Sequence, residues 1–181
     1  MEKILGIVIA ASIGLFATAR IVEHGQRVRA QHVAQQAWSH AVQIADAVRQ
    51  VYSMRNGFSG MPGASGSSQP STSTTAGNCI LINAGVAPPE LIASVANCTI
   101  ADEWGGAITT QVNWSGGNNY PGRVNVELSL APLAACLFIS TQKIFSACIT
   151  NAGGTNCYSG GATTAQALNA CAASNTLDLA F

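Results

Sequence analysis

The sequence predicts an α+β protein in which one long amino-terminal helix packs on an antiparallel β-sheet, and three observations carry that expectation. Residues 1–54 contain no proline and keep a helical period. Residues 107–130 alternate as paired strands do, and the last five residues alternate again.

The helix has two parts. Ile4 to Ala19 is an unbroken run of apolar or small residues flanked by Lys3 and Arg20. Beyond Arg20, Val33, Ala37, Ala41, Ile44, Val48 and Val51 recur at the period of one helical face, while Arg29, Gln31, Gln35, Gln36, Gln43, Asp46, Arg49 and Gln50 occupy the rest. The second half therefore lies on a domain of its own chain. At 1.5 Å per residue the whole helix is roughly 75–80 Å long, so its apolar tip leaves that domain. The expected division is a stem at 1–54, with a membrane anchor or filament core at about 4–19, and a globular head at 55–181.

The apolar run gives roughly 24 Å of helix, short of a comfortable bilayer span unless Lys3 and Arg20 snorkel. A secretory signal peptide is the competing reading. It predicts a small-residue cleavage site and then unrelated sequence, whereas here the helical pattern runs on through Arg20, which favours an uncleaved anchor.

Charge is scarce and balanced over the 181 residues, so there is no nucleic-acid footprint. The balance hides an asymmetry. Residues 1–55 carry six bases (Lys3, Arg20, Arg27, Arg29, Arg49, Arg55) against Glu2, Glu23 and Asp46, and the remainder carries Arg123 and Lys143 against Glu90, Asp102, Glu103, Glu127 and Asp178. A solvated helix face explains this blandly; mutual attraction of stems and heads in a polymer explains it more sharply.

Cys79, Cys98, Cys136, Cys148, Cys157 and Cys171 all fall in the head without zinc-binding spacing, which points to disulfides and an oxidising compartment. The head then faces outward. Arg20, Arg27 and Arg29 follow the anchor and alone favour the opposite orientation, so a basic leader ahead of Met1 is expected.

Residues 57–77 are Gly, Ser, Thr and Pro with little else and read as a linker. Cys79–Ala84 and Pro89–Ala96 read as short helices, and Trp104-Gly105-Gly106 as a turn into a strand with Ile108, Thr110 and Val112 on one side. Residues 116–122 read as a hairpin loop. Val124, Val126, Leu128 and Leu130 share one face of the next strand, with Asn125, Glu127 and Ser129 on the other. A helix is expected from Pro132 to about Lys143, a turn between Cys148 and Cys157, and a capping box, Thr163 with Gln166, on a helix ending near Ala172. Leu177, Leu179 and Phe181 close the chain as a strand.

Catalytic chemistry is not expected. His24, His32 and His40 step by about 80° of rotation each, do not converge, and read as polar stem surface. The head has no histidine, so any base would come from the stem. Asp102 and Glu103 read as a polar turn. No catalytic residue, metal site or cofactor is expected.

Taken in order, the apolar-to-amphipathic helix, NAGVAPPELI at 83–92, EWGGAI at 103–108, LAPLAACLFIS at 130–140 and ALNACAASNTLDLAF at 167–181 make the chain resemble a type IVb pilin, over essentially its whole length. The resemblance implies the type IV pilin fold and a mature subunit processed and N-methylated at Met1 by a prepilin peptidase. It also implies a disulfide between Cys136 and Cys171, after which Cys79 with Cys98 and Cys148 with Cys157 pair most simply among the 15 connectivities six cysteines allow. The glutamate usual at the fifth mature position is replaced by Leu5, which leaves Glu2 as the nearby acid for assembly. Gly14 and Gly25 bracket the step from tip to stem as places where the helix can loosen.

The function implied is that of a major pilin. Such a subunit waits in the bacterial inner membrane, is handled by pilus assembly machinery, and becomes part of an extracellular helical homopolymer serving conjugation, adhesion or aggregation. The alternatives are a minor pilin or adhesin, with Trp114 and Tyr120 available to a receptor, and a secretion pseudopilin.

Overall fold

The computed structural model describes residues 2–52, 58–64, 75–115 and 118–181, with side chains from His24 onward except at 114, 115 and 118–120. Helix α1 runs uninterrupted from Glu2 to Tyr52. His24 to Arg29 are exposed all round, and from Ala30 onward one face turns inward. That face is built largely of small residues: Ala34, Ala37, Ala41, Ile44, Ala45 and Val48 are completely or almost completely buried. Val33 and Val51, expected on it, sit at its margins and are half-buried. Every polar residue assigned to the outer face, from Arg29 to Gln50, is exposed.

Among the described residues seven strands form one antiparallel sheet: β1 (Ile92–Ser94), β2 (Thr99–Ala101), β3 (Ala107–Ser115), β4 (Asn118–Pro132), β5 (Ser146–Asn151), β6 (Gly154–Ser159) and β7 (Ser174–Ala180). Their spatial order is β1-β2-β3-β4-β7-β5-β6, so the last strand of the chain lies between β4 and β5. The pairings Thr110 to Val126 to Leu179 to Ala147 and Ile108 to Leu128 to Leu177 to Ile149 set apolar rows across the inner face. All of these but Thr110 are apolar, and all are buried. Helix α1 lies on this face beside α3 (Leu133–Ser140), with α2 (Ala76–Asn83) also in contact. Helix α4 (Thr164–Ala170) carries the complete Thr163–Gln166 capping box.

The structure corrects several sequence expectations. Pro89–Leu91 is a single 3-10 turn, and Ile92–Ser94 is a strand, because the chain doubles back at Cys98 (φ 52°) and pairs Ile92 with Ile100. Strand β4 begins at Asn118, which pairs with Ser115, and so takes up five residues assigned to the loop. Leu130 is 61% exposed: the register shifts between Leu128 and Ala131, and the bulge, with Leu130 at φ 58°, turns its side chain outward. Helix α3 stops at Ser140, where Thr141 turns its hydroxyl onto the Leu137 and Phe138 carbonyls. The region between Cys148 and Cys157 is more than a turn, because β5 and β6 pair along its length.

Beyond the short β2, the free edge of β3 is closed by polar groups from the linker region. Asn78 Nδ2 donates to the Ile108 carbonyl at 2.6 Å, Thr110 Oγ1 donates to Asn78 Oδ1 at 3.1 Å, and the Val112 N–H donates to the Pro62 carbonyl at 2.9 Å. This satisfies the edge and removes a template for strand addition. Such closeness requires glycine at position 77, where a Cβ would stand 2.2 Å from the Thr110 carbonyl oxygen. Gly77→Ala is expected to destabilise the head by about 1–3 kcal/mol. Gly25→Ala, whose Cβ meets nothing within 4 Å, is expected not to lower the melting temperature; thermal unfolding of the two variants followed by circular dichroism checks the contrast.

Candidate functional site

Three disulfides, each closing a separate part of the head, hold the surfaces that flank α1. Cys79–Cys98 ties α2 to the β1–β2 turn, Cys136–Cys171 ties α3 to the end of α4, and Cys148–Cys157 bridges directly paired residues of β5 and β6. No cysteine remains as a thiol.

One flank of α1 is acidic. His40 is not merely polar stem surface: its Nδ1 pairs with Glu103 Oε1, and its Nε2 lies 3.5 Å from Glu90 Oε1. These residues, with Gln36 and Asp102, line a cavity of about 360 Å³ that no lysine or arginine reaches among the described residues. Asp102 is buried rather than a solvated turn residue, and its Oδ1 accepts the Gly106 N–H at 2.6 Å and the Trp104 N–H at 3.2 Å. Trp104 Nε1 in turn donates to the Ser129 carbonyl at 2.7 Å, which fastens this turn to β4. A Cβ at Gly106 would lie 2.0 Å from the same carbonyl, which explains the glycine after Trp104 and Gly105. Burial pushes the Asp102 carboxyl up to about 7 against the pull of the Gly106 and Trp104 amides, with Glu103 adding repulsion.

The other flank is basic and aromatic. Trp38 and Phe181 rings approach to 5.6 Å, and Arg123 lies over the Phe145 ring at 4.0 Å from its centroid. With Lys143 and Arg49 they line a groove of about 700 Å³. Arg49 is held at 2.7 Å by Asp46, three residues earlier.

On the outer face of the sheet, Glu127 of β4 stands directly opposite Asp178 of β7. Asn125 Nδ2 donates to Asp178 Oδ1 at 3.2 Å. Burial, followed by the charge and hydrogen bond of Asp178, raises the Glu127 carboxyl from its ordinary 4.5 to about 7. Two facing carboxyls in partly desolvated surroundings share a proton, since ionising both sets like charges side by side.

No protein-family model and no curated protein matches the sequence. By structure, the chain is similar to the crystal structure of a type IVb pilin from Salmonella typhi, at a TM-score of 0.58 and 20% identity, over 80% of this chain and 97% of that one. The chain has a type IVb pilin's fold.

Within this pilin fold, the residues singled out for assembly fall on the amino-terminal part of α1. Met1 lies outside the described residues, and so does the Glu2 side chain. Gly14 and Gly25 lie within continuous helix, and Gly25 is exposed. The Trp114 and Tyr120 side chains are also outside the description. Among the described residues no helix is long and apolar enough to cross a membrane, and no cluster of three or more His, Cys, Asp or Glu is arranged to hold a metal ion. The run Ile4–Ala19 falls where side chains are not described.

Sequence reasoning missed the meeting of His40 with Glu103, 63 residues apart, and that of Glu127 with Asp178. For the second pair a signal existed, because each acid sits at the centre of the polar side of an alternating strand.

Both raised carboxyls bind protons more tightly when folded than when unfolded. Between the ordinary carboxylate range and about 7 the native state holds protons the unfolded chain has lost, so stability falls as pH rises through that window. The head is therefore expected to melt higher at pH 5 than at pH 8. Glu127→Gln is expected to remove part of that slope, on the order of 1–3 kcal/mol after allowance for partial solvent access. Melting temperatures of both proteins across pH 4–8 check the sign and the share.

Proposed function

We propose that the chain is a pilin, the major structural subunit of an extracellular helical pilus. It waits in the bacterial inner membrane by the apolar part of α1 until a prepilin peptidase and the assembly machinery have processed and recruited it. The observation that carries this reading is that α1 is one helix from Glu2 to Tyr52, exposed all round from His24 to Arg29 and seated on the sheet from about Ala30 onward. A helix that outruns its own domain needs a second environment for its apolar run, and lipid before assembly and neighbouring helices afterwards supply it. The pilin likeness of the fold supports the same reading. The stem at 1–54 and the head at 55–181 are then the two working parts, and Met1 the residue modified after processing.

Abundance separates this from a minor pilin or adhesin and from a secretion pseudopilin. Filaments sheared from the producing cells are expected to consist mainly of this chain, and a chain found only in trace, or only in the cell envelope, contradicts the major-subunit reading.

The assembly roles of Glu2, Gly14 and Gly25 belong to the same proposal. Glu2 stands in for the acid absent at Leu5, near the membrane surface where a charge costs less than at mid-anchor. Gly14 and Gly25 each weaken the helix by about 1 kcal/mol relative to alanine, so the segment between them is the cheapest place to stretch when anchors leave lipid and crowd around a filament axis. A filament map is expected to show helical hydrogen bonds lost or lengthened within 14–25. Regular i to i−4 bonds throughout 12–27 contradict the assignment.

A further inference from the structure

Charge on the head is distributed in a way that the pilin fold alone does not require. The only two bases of residues 56–181, Arg123 and Lys143, both line the aromatic groove, and none of the five acids of that region does. Glu90, Asp102 and Glu103 instead line the cavity on the other flank. The two flanks are on opposite sides of the same helix. At 100° per residue Trp38, Val42 and Arg49 fall within about 40° of one another, and Gln36 and His40 fall roughly 160–200° from Trp38. The subunit therefore carries a basic face and an acidic face, back to back across α1.

We propose that the groove lined by Trp38, Phe145, Phe181, Arg123 and Lys143 receives the acidic flank of a second copy of this chain. The contact sets Lys143 of one subunit against Glu90 of its neighbour. The assignment rests on the polymer reading above and adds which surfaces meet. Lys143 is exposed, and Glu90, with its side chain 56% exposed, is the outermost acid of its flank. The groove also offers an apolar floor, and the hairpin that follows Glu90 presents Val95, 64% exposed, to meet such a surface. Because the two surfaces differ, the contact is head-to-tail, and its repetition builds an open helix unless the rotation closes a ring. Exposed ion pairs contribute little energy each, but they set orientation and exclude like-charged placements.

Lys143 and Lys3 are the only lysines in the chain, which makes the test direct. Purified filaments are treated with a water-soluble carbodiimide, which joins an amine to a carboxylate in contact, and the products are mapped by mass spectrometry beside detergent-dispersed subunits. A Lys143–Glu90 link in filaments that is absent from dispersed subunits is expected. Lys143 left uncoupled in intact filaments, or joined only to other acids, overturns this inference while the polymer reading stands. A chain that yields no filaments overturns both. As a second measurement, Lys143→Glu and Glu90→Lys are each expected to lower the yield of sheared filaments several-fold, and the chain carrying both to restore it. Normal yields from the single variants, or no recovery in the double variant whose head melts as wild type does, overturn the pairing.

Discussion

The close seating of α1 on the sheet is the interaction on which the rest depends. Ala34, Ala37, Ala41 and Ala45 form a nearly flat strip, and Ile44 and Val48 project beside them into the same core as the inner face of β4 and β7. A face built mainly of alanine brings the helix axis near the strands and leaves the larger volumes to Leu128, Leu177, Leu179 and Ile139 on the other side. Replacing a strip alanine by a larger residue would lift the helix off a core packed at solid density. Everything that flanks α1, acidic on one side and aromatic and basic on the other, is positioned by that seat.

The seat also explains the crossing of the sheet. β7 must return between β4 and β5 to complete the apolar rows under the helix, and Asn175 controls that return. Its side chain donates to the Ala131 and Ala172 carbonyls and accepts the Ala172 N–H, all while buried. It joins the bulged end of β4 to the residues after α4, next to Cys171, whose disulfide to Cys136 fixes α3. A buried asparagine with its groups paired holds one register where a purely apolar contact would tolerate several.

How much of this was legible in the sequence varies with each element's environment. The buried face of α1 could be read because that helix has one wet side and one dry side, and strands β4 and β7 because their residue types alternate apolar and polar, although Asn125 and Asp178 are buried too. Strands β1 and β2, of three residues each, are too short to show one. In β5 the run Ser146, Ala147, Cys148, Ile149 is buried on both sides, so no alternation survives. Leu130 continued the pattern of β4 in sequence and broke it in space, because a bulge shifts the phase without altering the order of residue types. The candidate surfaces were less legible than the fold. That the head holds only two bases was visible, but nothing local to Arg123 or Lys143 says that they meet, and the pairing of His40 with Glu103 exists only once the helix is seated.

Two sets of charged groups respond to different variables. Glu127 and Asp178 face each other on the outer side of the sheet, partly out of water, and burial is the main cause of the raised Glu127 carboxyl, so salt changes it little. Glu90 and Lys143 are exposed, and any pairing between copies takes place within reach of counterions, whose screening length is about 8 Å at physiological ionic strength. The helix seat lies between the two sets and is apolar, hence indifferent to both variables at moderate values. On the proposed contact, pH would act chiefly on the stability of the head and salt chiefly on the register between heads. In the proposed polymer the apolar run at the amino terminus would respond to neither and would set whether subunits stay together. A polymer of the kind proposed would gain from that separation, because its lateral contacts could be reversible and selective while the cohesion of the fibre and the fold of each subunit rest on burial.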